Sequence, residues 1–324
     1  MFGKNRFLIL ITILVIAGIS QITIVQCISD SQQNMNNIKL YESDSEINVA
    51  ATSGILADFV GAIIDQKLDP IVNPGTCPAH YDIQPEDAAI VANADVIFYH
   101  GFEGEWFITL VNENNPSAKL IKVGNLVSGP WLPPPQAIKY LRTITQELVK
   151  IYPEKNLAFS ANLNAYITQI NENAAQIKQE FAQSSYYGAN AVVMEFQAMF
   201  ATWLGLNVMV TFGSDETLGA QDIESIVAEA EAKACTIVIM NLPSGTDAGK
   251  EIAREIGAKY AIFGNFVGDL NTESYIDLLR KNMEAAKEPI TPGFDTIGIN
   301  NILLLISIIG ISIVLIGRRK MRKN

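Results

Sequence analysis

The sequence predicts an α/β protein of two doubly wound α/β lobes joined by one long spine helix, with a signal peptide in front and a C-terminal transmembrane helix behind. Three observations carry this reading. Short apolar runs alternate with amphipathic segments over residues 46–132 and again over 188–288, the pattern of parallel strands covered by helices on both faces. Between them, residues 154–184 contain no Gly or Pro, and Phe159, Leu163, Tyr166, Ile170, Ile177 and Phe181 recur at helical spacing. Both ends of the chain are apolar and flanked by basic residues.

Residues 1–27 fit a signal peptide, because Lys4 and Arg6 precede the apolar run 7–19. Ile-Val-Gln-Cys before and at Cys27 departs from a bacterial lipobox, so no lipid is expected there. Residues 28–45 form a polar linker rich in Gln, Asn and Ser. In the first lobe (46–132), strands are expected at 47–51, 71–72, 95–99 and 118–123, with helices at 54–66, 85–92 and 103–112. Glu86 and Asp87 suit the positive end of the second helix.

Residues 133–187 connect the lobes. Pro133, Pro134 and Pro135 stop any strand and open a helix at Gln136; Pro153 ends it, and the spine follows. The second lobe (188–288) repeats the first in kind. Its strands are expected at 191–194, 207–212, 236–240 and 260–263, with helices at 196–204, 220–233, 248–256 and 274–286. Pro289 and Pro292 mark a linker, 289–295. The uncharged segment 296–317 is about 33 Å long as a helix, enough to cross a bilayer. The tail 318–324 holds Arg318, Arg319, Lys320, Arg322 and Lys323, which places it in the cytoplasm and the body outside.

Seven of the 23 basic residues lie in these two ends, leaving 16 against all 34 acidic ones, a balance of −18 for residues 28–317. That excess argues against nucleic acid as a partner. Cys77 and Cys235 are too few for a disulfide framework, and Cys235 opens an apolar run expected in the core. No nucleophile elbow, His-Glu-x-x-His, phosphate loop or dinucleotide fingerprint is present, so no enzyme is expected.

Ligands of open parallel sheets sit beyond the carboxyl ends of the strands. That rule selects the loop from Asn73 to Tyr81 with Cys77 and His80, then His100, Met194, Glu195, Phe196, Gln197, Asn241 and Asn265. Both histidines of the chain fall within this set, and histidine is the commonest metal ligand.

At this point the residues resemble the zinc/manganese-type solute-binding proteins of ABC importers, over about residues 46–288. Cys77-Pro-Ala-His80-Tyr81-Asp82-Ile83-Gln84-Pro85-Glu86-Asp87 is the strongest local match, followed by His100-Gly101-Phe102 with Glu105 and Trp106, Trp203-Leu204-Gly205-Leu206, Gly257-Ala258, and Tyr275 with Asn282. The resemblance implies a monomeric, non-enzymatic binding protein that captures a metal ion between its lobes and delivers it to an ABC permease in the membrane. It implies His80 as a metal ligand in a site of three histidines and one carboxylate. Gly129, near Trp131, then stands where a second His is expected, Met194 where a third is, with Glu195 beside it, and Asn265 at the acidic position. A site using Cys77, His80 and Met194 would suit copper, and one with Glu195 would be harder, so zinc, manganese and copper all remain as bound transition metals. A non-metal small solute between Trp131 and Phe196 is the alternative, as is a cell-adhesion role on the same scaffold. The topology has a direct test. Protease added to intact cells should degrade the body and spare a small C-terminal fragment on immunoblotting; protection of the whole body would contradict it.

Overall fold

The computed structural model describes residues 47–124 and 131–293. The expected signal peptide, polar linker, transmembrane segment and basic tail lie outside these residues, as does Gly129. Among the described residues, no helix is long and apolar enough to cross a membrane.

The first lobe is a parallel sheet of three strands in the order β1 (Val49–Ala51), β2 (Val96–Tyr99), β3 (Lys119–Lys122). Helices α1 (Gly54–Ile64), α2 (Pro85–Asn93) and α3 (Glu105–Asn114) connect and cover it. Ala50 and Ile97 face α2 and α3, in a cluster with Val91, Phe107 and Leu110. Ala51, Val96 and Phe98 face the other way, toward α1. This alternation is the period-two consequence of the pleat.

Residues 71–72, expected as a fourth strand, are not one. The Ile71 and Val72 amides donate to the Ala51 and Thr52 carbonyls at 3.0 and 2.9 Å. Consecutive amides turned to the same neighbour describe a bend, since a parallel strand turns only alternate amides to one side. Pro74 follows at once and has no amide to extend a ladder.

Helix α4 (Pro134–Ile151) starts two residues earlier than expected, because Pro134 and Pro135 occupy its first turn, where no amide is needed. The spine, α5 (Asn156–Phe181), is 26 residues long, shorter than the expected 154–184 because Pro153–Lys155 makes a separate 3₁₀ turn. Its stripe of Phe159, Leu163, Ile170, Ile177 and Phe181 is buried.

The second lobe orders its parallel strands as β5 (Asn207–Phe212), β4 (Asn190–Met194), β6 (Ile237–Asn241), β7 (Lys259–Phe263). Every residue of β6 is buried, as a strand covered on both faces requires. Around the sheet lie α6 (Ala198–Leu204), α7 (Ala220–Ala232), α8 (Asp247–Glu255) and α9 (Tyr275–Lys287). Glu195–Gln197 is a 3₁₀ turn ahead of α6, not part of a helix from 196. A short extended segment, β8 (Val267–Leu270), precedes α9 and had no counterpart in the sequence reading.

One apolar core runs through both lobes by way of the spine. It joins Phe59 and Phe98 to Ile170 and Ile177, and on to Phe200, Phe263 and Leu278. The spine packs against α1 and α4 on one side and α6 and α9 on the other. Polar ties follow the same path: the Tyr166 hydroxyl donates to Asp58, Asn162 Nδ2 donates to Ile63 O at 2.9 Å, and Arg280 pairs with Glu180 at 3.2 Å. Burial pushes the Asp58 carboxyl up to about 6, against the opposing Tyr166 hydrogen bond. Replacing Ile170 with Asp would bury an unpaired carboxylate in this core. The expected cost is several kcal/mol, of the order of a domain's whole stability. An unchanged midpoint of thermal unfolding for Ile170→Asp would show that the stripe does not hold the lobes.

Candidate functional site

The carboxyl ends of both sheets turn toward a cavity of about 330 Å³ between the lobes. From the first lobe come Cys77, Ala79, His80 and Phe102, and Trp131 reaches it from the connection that precedes α4. The second lobe supplies Glu195, Phe196, Glu216, Asn241, Asn265 and Phe266. A filled interface, as an adhesion role on this scaffold would favour, is not what the lobes make. A larger groove of about 780 Å³ runs past Asp58, Asp65 and Glu273, but none of the expected site residues lines it.

The walls are set by the chain's local chemistry. Pro78–His80 is a 3₁₀ turn, pinned by the Trp106 indole, whose Nε1 donates to Pro78 O at 2.9 Å. His80 stands at its end with a largely exposed ring, and its Nδ1 lies 3.7 Å from Glu216 Oε2 of the opposite lobe. A pair this exposed contributes little to stability; its interest lies in bringing two donor atoms together across the cleft. Burial pushes the Cys77 thiol up from its ordinary value, while amides of Ala79 and His80 oppose that shift.

Trp131 forms the back wall. Its Nε1 donates to Asn265 O at 2.8 Å. Its ring stacks on Phe266 at 5.4 Å and on Phe102 at 6.0 Å. His100 lies behind it, with ring centroids 4.5 Å apart. Loop 265–266 is held by Asp269, whose Oδ2 accepts from the amides of Asn265 and Phe266 at 2.8 and 3.0 Å. The other oxygen, Oδ1, accepts from Gly75 N of the first lobe at 2.7 Å. Burial raises the Asp269 carboxyl, and these three amides pull it back.

Seven of the ten residues singled out from the sequence therefore line one cavity: Cys77, His80, Trp131, Glu195, Phe196, Asn241 and Asn265. Three do not. His100 is fully buried, with Nε2 2.7 Å from Ser53 Oγ. Met194 packs in the second lobe's own core cluster, and its sulfur accepts from Phe196 N at 3.3 Å. Buried Gln197 donates through Nε2 to Asn241 Oδ1 at 2.7 Å and to Gly264 O at 3.2 Å. These three support the walls and do not face the space. Glu216 and Phe266 were missed. Glu216 follows the carboxyl end of β5, so the same strand-end rule reaches it. Phe266 adjoins Asn265 and carries no signal of its own.

As cargo, a metal ion would find Cys77, His80, Glu195 and Glu216 around the cavity. Among the described residues, no group of three or more His, Cys, Asp and Glu side chains converges to hold an ion.

The His100 ring has a further consequence. Burial pushes it down to about 4, against the pull of Glu103. The unfolded chain, with histidine near 6.5, then takes up the proton first as pH falls. The contribution of His100 to stability should decline between about pH 6.5 and 4 by up to about 3 kcal/mol, while the raised Asp58 carboxyl works in the opposite sense over about pH 6 to 4. The unfolding free energy of wild type minus that of His100→Gln, from urea titrations, should fall as pH drops through that window, since the Asp58 effect is common to both proteins; a constant difference would contradict it.

The model of the family described as zinc-uptake complex component A periplasmic (ZnuA) matches residues 49–288. A metal ABC transporter substrate-binding lipoprotein of Lactococcus lactis subsp. lactis is 31% identical over 164 residues, 43% of this chain and 52% of that protein. The manganese ABC transporter substrate-binding lipoprotein scaA of Streptococcus gordonii is 28% identical over 202 residues, 55% of this chain and 61% of that one. The matched part thus spans between half and two thirds of these relatives. Among solved structures, a cadmium-bound periplasmic metal binding protein from candidatus liberibacter asiaticus superposes with a TM-score of 0.62 at 17% identity, covering 73% of this chain and 97% of its own. A crystal structure of ZnuA gives 0.61 at 19% identity, covering 75% and 100%. At such identities the likeness is one of fold.

Proposed function

The chain belongs to the zinc-uptake complex component A periplasmic family, and from that premise we propose that it is the extracytoplasmic binding component of an ABC importer, with a metal ion as its cargo. The observation that carries this is the cavity between the lobes, which gathers the only exposed histidine among the described residues and an opposing carboxylate at 3.7 Å. Relatives named as metal and manganese ABC transporter substrate-binding lipoproteins support the cargo class.

In this reading His80 is the first protein ligand to meet the metal, and Cys77, Glu195 and Glu216 are the other donors within the cavity. Trp131, Phe102, Phe196 and Phe266 wall the cargo off from water. Asn265 lines the cavity, while His100, Met194 and Gln197 hold the walls from behind. The signal peptide, the segment 296–317 and the basic tail keep the body on the outer face of the membrane as a single-pass protein. The acidic body gathers cations and repels nucleic acid. The protein acts as a monomer that meets a permease subunit. It has no catalytic role, since the family is one of transport binding proteins and no catalytic constellation is present in the sequence.

Capture and release need binding that is tight but reversible, and neutral imidazole is the form that ligates. The full-length chain, solubilised in detergent without chelator, should carry transition metal on native mass spectrometry with elemental analysis. His80→Ala should lower metal affinity at least tenfold, about 1.4 kcal/mol. Metal-free protein at every loading of Zn²⁺, Mn²⁺ and Cu⁺ supplied to the cells would overturn the metal cargo.

A further inference from the structure

We propose that the face of the second lobe opposite the cleft lies on the phospholipid headgroups of the membrane that anchors the chain. The inference rests on the single-pass reading above and adds which surface of the body meets the bilayer.

The chain leaves the body on this face. Ile290 pairs antiparallel with Tyr260, near the start of β7. The Tyr260 amide donates to Ile290 O at 2.9 Å, and the Ile290 amide donates to Tyr260 O at 2.8 Å. This is the amino end of the second sheet, whereas Asn241 and Asn265, at and beyond its carboxyl ends, line the cavity. The uncharged segment begins at Thr296, six residues on. Six residues reach at most about 20 Å, so a chain anchored by that segment holds this end of the lobe nearest the bilayer.

The side chains gathered there suit a membrane interface. The strands of the second sheet begin at this end, and α5, α6 and α9 finish at it. Tyr187 is 55% exposed. Its ring lies 6.3 Å from that of Phe181 and covers Gly205, where a Cβ would come within 2.5 Å of it. Half-buried Trp203, on the last turn of α6, carries Lys178 Nζ over its ring at 5.5 Å. Half-buried Tyr186 carries Lys259 Nζ of β7 at 6.0 Å. Ile290 is 52% exposed, and Lys287 beside it is exposed too. Tyr and Trp rings settle at headgroup level, and lysines lay their apolar stems along the surface while the ammonium reaches water or phosphate.

Charge points the same way. Between residues 28 and 317 the chain has 34 acidic residues against 16 basic ones, an excess that disfavours contact with lipid phosphates. At this end the excess is absent. Lys178, Lys259 and Lys287 offset Glu231 and Glu288. Lys233 is paired with Glu229 at 2.6 Å and Arg254 with Glu255 at 3.2 Å. The cleft, at the other ends of the same strands, then opens away from the bilayer, toward incoming cargo.

Trp203 is a native reporter of this face, since Trp106 is bonded to Pro78 O of the first lobe and Trp131 lines the cavity. The full-length chain is reconstituted into phosphatidylcholine vesicles in which part of the lipid carries a nitroxide on its headgroup. The nitroxide should quench tryptophan emission, and Trp203→Phe should abolish most of that quenching. A short tether by itself would also keep Trp203 near the surface, so a second chain carries about 20 extra Gly and Ser residues after Pro292. Quenching should persist in it and fall at least twofold when exposed Tyr187 and Ile290 are both replaced by Ser, with the circular dichroism spectrum unchanged. Quenching that Trp203→Phe leaves intact, that vanishes with the longer tether, or that ignores the double replacement overturns the inference and leaves the anchor and the metal cargo standing. A chain that alkaline carbonate strips from the vesicles overturns the anchor and the inference together, while metal content decides the cargo separately.

Discussion

The cleft keeps its shape because the Asp269 carboxylate ties both of its walls to one point. One oxygen orders the amides of Asn265 and Phe266, and the other takes the Gly75 amide across the lobe boundary. Gly75 opens the loop that carries Cys77 and His80, so the two sides of the cavity share a single buried anchor. Three amide donors offset part of the desolvation of that charge. Close backbone approach makes the same seam tight. A Cβ on Gly54 would stand 1.9 Å from Val267 O, and one on Gly268 would stand 2.4 Å from Pro74 Cγ, at a φ of +102°. Neither position tolerates a side chain, and both join first lobe to second.

Behind the seam, the shared core makes the two lobes one mechanical body. The T-shaped contact of Phe59 with Tyr275, centroids 5.2 Å apart, lies on the lobe boundary. The Tyr275 hydroxyl also donates to Leu132 O at 2.7 Å, next to Trp131. Trp131 therefore sits on a rigid support, bonded to the second lobe and backed by His100 of the first. A buried histidine with a low affinity for protons serves there as a flat, neutral packing element that keeps the indole in place. A cavity walled in this way has little to order when it is filled.

Much of this was legible in the residues. The spine stripe follows from the spacing of Phe159, Leu163, Ile170, Ile177 and Phe181, because a helix of 3.6 residues per turn must bury one face. The strand-end rule brought Cys77, His80, Glu195 and Asn265 into one list before any coordinates, since parallel sheets send their carboxyl ends to one edge. The same rule could not separate side chains that face the cavity from those behind it. His100, Met194 and Gln197 end strands or open turns as the lining residues do, and they differ only in the direction of the side chain. The 71–72 segment failed for a related reason: its apolar residues satisfy strand composition, while the flanking prolines and the bend decide the hydrogen bonding.

The sequence by itself determined the parallel α/β class and the helix that joins the two lobes, because these follow from periodicity along the chain; the rule of strand ends pointed to the edge where the cavity lies. Tertiary structure alone decided which donors meet. His80 and Glu216 are 136 positions apart, and the backbone of Asn265 is held beside the cavity by Asp269, four residues on. Distances across a cleft depend on how two lobes dock, and docking is set by Gly54, Gly268, Asp269 and the shared core acting together. No local pattern encodes that sum, so the shape of the cavity becomes readable only in three dimensions.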